Sequence, residues 1–222
     1  MDFSNIVKQV EQFIYELLMW VIFYPYTLVR VIFRPTPMMT YVRGEVDADP
    51  DRAFASAIRP PVFLFLSIAI GSMVAPIGIE QAQTLAQTEL GTWLTASWVN
   101  LLVFRTLGYS VFALTGALLY DWLTPGTITR DTLRSPFYQQ CYICGPFALA
   151  YSPTLVRLAS AAEVLIFVAI GLQLWLLFAQ TLFFRRLVGT GRFKSFLLAL
   201  VVLIVGNATL VAATVFGDVV MN

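Results

Sequence analysis

The chain has 222 residues, 59% hydrophobic and 12% charged, with a formal net charge of +1 and a mean hydropathy of +0.77. Soluble domains carry about 25% charged residues, so this composition excludes a soluble globule and predicts one integral membrane domain. There is no basic excess to hold nucleic acid, two cysteines make no disulfide framework, and the absence of histidine removes the commonest metal ligand.

The opening MDFSNIVKQVEQ is acidic-mixed and carries no cleavable signal pattern. Phe3, Ile6, Val7, Val10, Phe13, Ile14, Leu17, Leu18 and Val21 recur at helical spacing, opposite Lys8, Gln9, Glu11, Gln12 and Glu16. That pattern predicts an amphipathic helix lying in the membrane interface, bending at Pro25 and ending before Pro35. The apolar run from Leu17 to Phe33 leaves a sixth span or a re-entrant hairpin as the alternative. Gly44 to Arg52, GEVDADPDR, reads as a solvated acidic turn. Residues 1–59 thus form a cytoplasmic and interfacial N-terminal region, and residues 60–222 a transmembrane bundle.

A span needs ~20 mainly apolar residues. Five stretches qualify: Pro61 to Ile79, Trp93 to Tyr120, Phe137 to Leu155, Ser160 to Phe184, and Phe193 to Phe216. The fold class expected is therefore all-α, a polytopic five-helix membrane bundle with an N-terminal interfacial helix. With the N-terminus inside, Lys8, Arg30, Arg34, Arg43, Arg52, Arg59, Arg130, Arg134, Arg185, Arg186, Arg192 and Lys194 all fall on the inner side. Only Arg105 and Arg157 do not. This positive-inside bias sets the orientation.

Arg105 lies in the middle of the apolar stretch VNLLVFRTLGYSVF, sixteen residues before Asp121. At ~1.5 Å per residue it sits ~24 Å from the inner face, in the outer half of the hydrocarbon, where an unpaired arginine costs a few kcal/mol. Glu163 is the one acidic residue inside any other span. A polar belt of Asn100, Arg105, Tyr109, Tyr151 and Glu163, with Gln173 nearby, is expected inside the bundle. It serves either as a site for an anionic headgroup or substrate, or as an ion pair that fixes helix register.

Cys141 and Cys144 form a Cys-x-x-Cys with no further metal ligands; they read as small apolar packing residues. Gly145-Pro146 and Ser152-Pro153 are expected to break the third span twice, as kinks that shape the bundle or as breaks whose exposed carbonyls line a transport site. Gly108, Ala113, Gly116 and Ala117 give the second span a small face for close packing. No nucleophile–base pair, phosphate loop or dinucleotide fingerprint appears, so the chain is not expected to be an enzyme and no cofactor is implied.

Three stretches carry a family resemblance: FYPYTLVRVIFRPTPM (Phe23 to Met38), TITRDTLRSPFYQQCYICGPFALAY (Thr127 to Tyr151) and FFRRLVGTGRFKSFLLALV (Phe183 to Val201). Their order resembles the bacterial branch of the Yip (Ypt/Rab-interacting protein) family of small five-span proteins. The acidic DLYGP-type signature of the eukaryotic members is absent, so no GTPase partner is implied. The resemblance implies a non-enzymatic protein of the bacterial inner membrane, N-terminus cytoplasmic. Its partners would be membrane lipids and other membrane subunits. Three readings of function stay open: a lipid-organising scaffold, a small transporter or flippase component built on the Arg105 belt, and an accessory subunit of a larger complex.

Overall fold

The structure, a computed structural model, describes residues 3–46, 53–74, 76, 83, 87–158 and 163–221. Among these it is all helix, with no strand. The helices are α1 (Phe3–Phe33), α2 (Pro35–Val46), α3 (Pro60–Val74), α4 (Glu89–Ala96), α5 (Trp98–Leu123), α6 (Arg130–Leu158), α7 (Glu163–Phe183) and α8 (Arg192–Met221). A five-residue π-helical turn, Phe184–Val188, ends α7, and Gly189 closes it at φ 73°, a left-handed cap that costs glycine little.

Four helical stretches are long and apolar enough to cross a membrane: Val7–Phe33, Trp98–Leu123, Glu163–Val188 and Arg192–Ala212. The five expected spans map onto this only in part. The first becomes α3, apolar but 15 residues long, and residues 75 and 77–79 of it fall outside the described residues. The second is divided: Ser97 is extended (φ −153°, ψ 139°) and caps both the end of α4 and the start of α5.

The third expected span is α6, 29 residues long and polar enough to fall outside those four stretches. It is also the axle of the bundle. Every residue from Gln139 to Ala148 is buried, so no face of that stretch meets the surroundings. A helix wrapped by protein has no need to be apolar all round; only lipid-facing side chains do. The outer helices show the converse. In the most apolar windows of α1 and α7 only 11% and 17% of residues are buried.

The expected breaks in this span do not occur. α6 runs unbroken through Pro136, Pro146 and Pro153. Proline removes a donor and crowds the preceding turn, yet the helix continues through all three. The Thr154 hydroxyl donates to Ala150 O at 2.7 Å, the i−4 back-bond by which a threonine satisfies itself inside a helix.

Two apolar clusters bind the bundle. The larger joins Phe112, Phe147, Leu176, Phe183 and Val202 from α5 to α8 with Ile68 of α3. The smaller joins Tyr24 and Val31 of α1, Met38 and Val42 of α2, Phe54, Phe63 of α3 and Tyr142 of α6. It straddles the expected boundary at residue 59, so the N-terminal region is packed onto the bundle. Tyr142 donates to Ile58 O at 2.6 Å and Tyr24 to Ser67 Oγ at 3.0 Å.

α1 is one continuous helix through Pro25 and ends at Phe33. Its second half docks through Tyr24, Thr27 and Val31, while Val7, Val10, Phe13, Ile14, Leu17 and Leu18 are all exposed. The predicted GEVDADPDR turn is helical from Gly44 to Val46; residues 47–52 fall outside the described residues.

α3 and α6 approach closely because glycine stands at the contacts. A Cβ on Gly71 would sit 2.8 Å from Leu149 O, and one on Gly145 would strike the Phe63 ring. Cys141 and Cys144 are wholly buried and are the only thiols, so a thiol-reactive dye reports unfolding directly. Gly71→Ala should destabilise by ~1–3 kcal/mol through overpacking against backbone and lower the dye-detected melting midpoint in detergent. Gly44→Ala, with nothing within 4 Å of the new Cβ, should not. Equal midpoints for the two would show that α3 and α6 are not this close.

Candidate functional site

Arg105 belongs to the inward face of α5, on which Tyr109, Phe112 and Gly116 follow it at helical spacing and are all buried. Its exposure is 8%, so its charge is held inside the protein. Among the described residues its Nη1 has no hydrogen-bond partner. The Tyr109 hydroxyl faces Ser152, with Arg105 and Tyr151 within its electrostatic reach. Tyr151 stacks on Phe147 at 4.6 Å, and Phe147 meets Tyr109 edge-on at 6.1 Å. The structure therefore brings together Arg105, Tyr109 and Tyr151 of the expected belt, and adds Ser152.

The other members go elsewhere. Glu163 opens α7 and is exposed, and among the described residues no ion pair joins it to Arg105. The direct contact expected between them is therefore not made; pairing through water or a lipid headgroup is the other form expected. A carboxylate in the first helical turn is already favoured by the helix dipole, so it has a reason to stay at the helix end. Asn100 is half-buried and donates to Trp93 O at 2.7 Å. It satisfies a carbonyl that the end of α4 leaves open, which makes it a clip between α4 and α5. Gln173 bonds to Asn207 of α8 at 2.9 Å.

Further toward the basic end lies a pair the sequence reading missed. Gln140 Nε2 donates to Gln180 Oε1 at 2.9 Å, and Gln180 Nε2 returns a bond to Gln140 Oε1 at 2.6 Å. Both side chains are fully buried. Gly116 opposite leaves the room, since any Cβ there would overlap the Gln140 amide. The available signal was a glutamine inside each of two apolar runs, forty residues apart.

The basic end itself is assembled from five elements. Arg43 of α2 donates to Tyr120 Oη at 2.6 Å, Tyr120 packs on Phe183 at 5.7 Å, and Thr132 of α6 donates to Asp121 Oδ2 at 3.0 Å. Arg43, Arg130, Arg134, Arg185, Arg186 and Arg192 are all exposed here. Tyr41 of α2 accepts from Ser56 at 3.0 Å, and burial pushes its hydroxyl pKa above the ordinary value, so it stays protonated through neutral pH. Phe54 holds a left-handed φ of 64°; its amide donates to the Glu45 carboxylate, and its ring meets Tyr41 edge-on at 6.1 Å.

Among the described residues no three His, Cys, Asp or Glu gather as a metal site. Searches against family models, curated proteins and solved structures find no match to this chain.

Replacing Gln140 or Gln180 by leucine should each cost ~1–3 kcal/mol, because the remaining amide is left buried and unpaired. The double replacement should cost less than the sum. Glu163→Ala should leave the melting midpoint unchanged, alone and in an Arg105→Ala background; a non-additive effect with Arg105 would restore the ion pair.

Proposed function

We propose that this chain is a non-enzymatic multi-pass membrane protein that organises lipids, of the Yip-like type its sequence resembles. α3, α5, α6, α7 and α8 cross the bilayer, with the N-terminus and the basic end on the cytoplasmic side. The observation that carries this reading is the first half of α1. It projects from the bundle with its apolar stripe exposed and its charged face opposite. A stripe of that kind is stable against an acyl boundary and acts there as a lever on lipid packing. The grouping of Arg43, Arg130, Arg134, Arg185 and Arg192 at one end supports the orientation.

A second reading, a transporter or flippase component, rests on the unpartnered Nη1 of buried Arg105. An anionic group entering between Tyr109, Tyr151 and Ser152 would complete its hydrogen bonding and offset the cost of the charge.

Single cysteines introduced at Glu89 and Gly191, in a chain with Cys141 and Cys144 replaced by alanine, should label from opposite sides of oriented vesicles. Labelling from one side overturns the five-crossing topology. A cysteine at Ser4 should label from the Gly191 side; labelling from the Glu89 side makes α1 a sixth crossing. Proteoliposomes of the full chain should show more curvature by electron cryomicroscopy than those of a chain lacking residues 2–18. Equal curvature removes the lever.

A further inference from the structure

A cavity of about 640 Å³ opens at the basic end, between the C-terminal end of α2, the α5–α6 turn and the first turns of α6. Its wall includes Arg43, Tyr120, Asp121, Thr124, Thr127 and Thr132. Two of its lining groups are charged, with opposite signs, and they do not neutralise each other: among the described residues no ion pair links Arg43 to Asp121. Arg43 is exposed and held toward the cavity by its bond to Tyr120 Oη. Asp121 is only 8% exposed. Its Oδ2 is committed to the Thr132 hydroxyl at 3.0 Å, which leaves Oδ1 for a ligand.

A ligand of one sign would satisfy one wall and be repelled by the other. A ligand carrying both signs a short distance apart satisfies both. The depth of the cavity narrows the choice. Asp121 lies in the last turn of the apolar helix α5, next to Trp122, which is 72% exposed. An outward tryptophan at a helix end marks the headgroup level of a bilayer. We infer that this cavity is a binding site for a zwitterionic phospholipid headgroup with a primary amine. In it the phosphate is held by the Arg43 guanidinium and the Thr127 hydroxyl, and the ammonium by Asp121.

The arrangement also sets specificity. A primary ammonium offers three N–H donors, so it can hydrogen-bond to the Asp121 carboxylate. A trimethylated amine keeps the charge but has no donor, and the buried carboxylate then loses its partner. A headgroup with phosphate alone brings a second negative charge toward Asp121.

This inference rests on the membrane-embedded reading, but it is independent of the α1 lever. The full chain, reconstituted in nanodiscs and released for native mass spectrometry, is offered phosphatidylethanolamine, its N-monomethyl and N,N-dimethyl forms, phosphatidylcholine and phosphatidylglycerol in equal amounts. Retention should hold through the mono- and dimethyl lipids and fall about tenfold at phosphatidylcholine, where the last N–H is lost; phosphatidylglycerol should be retained least. Asp121→Asn, which keeps an acceptor for Thr132, should abolish the ethanolamine preference. Arg43→Gln should weaken retention of all the zwitterionic lipids alike. Equal retention across the methylation series in the wild-type chain overturns the site and needs no variant to fold. So does a preference for phosphatidylglycerol, or an Asp121→Asn chain that folds by the buried-thiol melt and keeps the preference. If the curvature effect of residues 2–18 disappears while the ethanolamine preference persists, the lever fails and the headgroup site stands.

Discussion

The bundle depends on one constraint: α6 is surrounded. In water a core helix is the most apolar element and the outer helices are half polar. In a bilayer the solvent is hydrocarbon, and the gradient across a helix bundle can reverse. α1 and α7 present Val, Ile, Leu and Phe outward, while α6 carries Gln139, Gln140, Ser152 and Thr154 within the protein. Association without a strong hydrophobic drive between helices then rests on close packing and interhelical hydrogen bonds. Both are present at α6. Glycine at positions 71 and 145 brings α3 against it, and the Gln140–Gln180 pair ties it to α7.

The same constraint explains how much was legible in the sequence. The all-helical class, the apolar stretches and the basic end were readable because each is written in consecutive residues. The inward aim of Arg105 was readable too, since a lipid-facing arginine in an apolar span costs a few kcal/mol. Its partner was not. Depth along a helix gives height in the bilayer but not rotation about the helix axis, and Glu163 matched Arg105 only loosely in height. Glu163, the first residue of α7, is exposed. Asn100 was misread for a related reason: the break at Ser97 was hidden inside one long apolar run, so a residue that clips two helices looked like a residue inside one.

The Gln140–Gln180 pair shows the converse limit. A glutamine in an apolar run is visible in the sequence, but only the fold shows that the two face each other across Gly116. Reciprocal amide pairs satisfy two donors and two acceptors at once. Each amide then has one N–H and its oxygen bonded, which lowers the cost of burying the pair in the core. Arg105, by contrast, is left incomplete in the same core. Among the described residues two buried side-chain atoms stand without a hydrogen bond, Arg105 Nη1 in α5 and Gln139 Oε1 in α6, and of the two only the guanidinium carries a charge. That asymmetry is what gives the first half of α5 a candidate site.

The two ends of α5 are therefore not equivalent. Near its start, a buried cation faces aromatic rings and hydroxyls, a surrounding that would receive an anion. At its finish, a buried carboxylate and an exposed guanidinium stand apart around a cavity, a surrounding that would receive both signs. One helix of 26 residues spans ~39 Å at ~1.5 Å per residue, about the thickness of a bilayer with its headgroup regions. A single rigid element thus carries polar chemistry toward both leaflets. A lipid held at one end, as proposed, would fix the height of the helix, and with it the depth at which Arg105 sits. Arg105 lies ~24 Å from Asp121 along that helix, so on the proposed topology a headgroup anchored at Asp121 would hold the guanidinium within the hydrocarbon of the opposite leaflet.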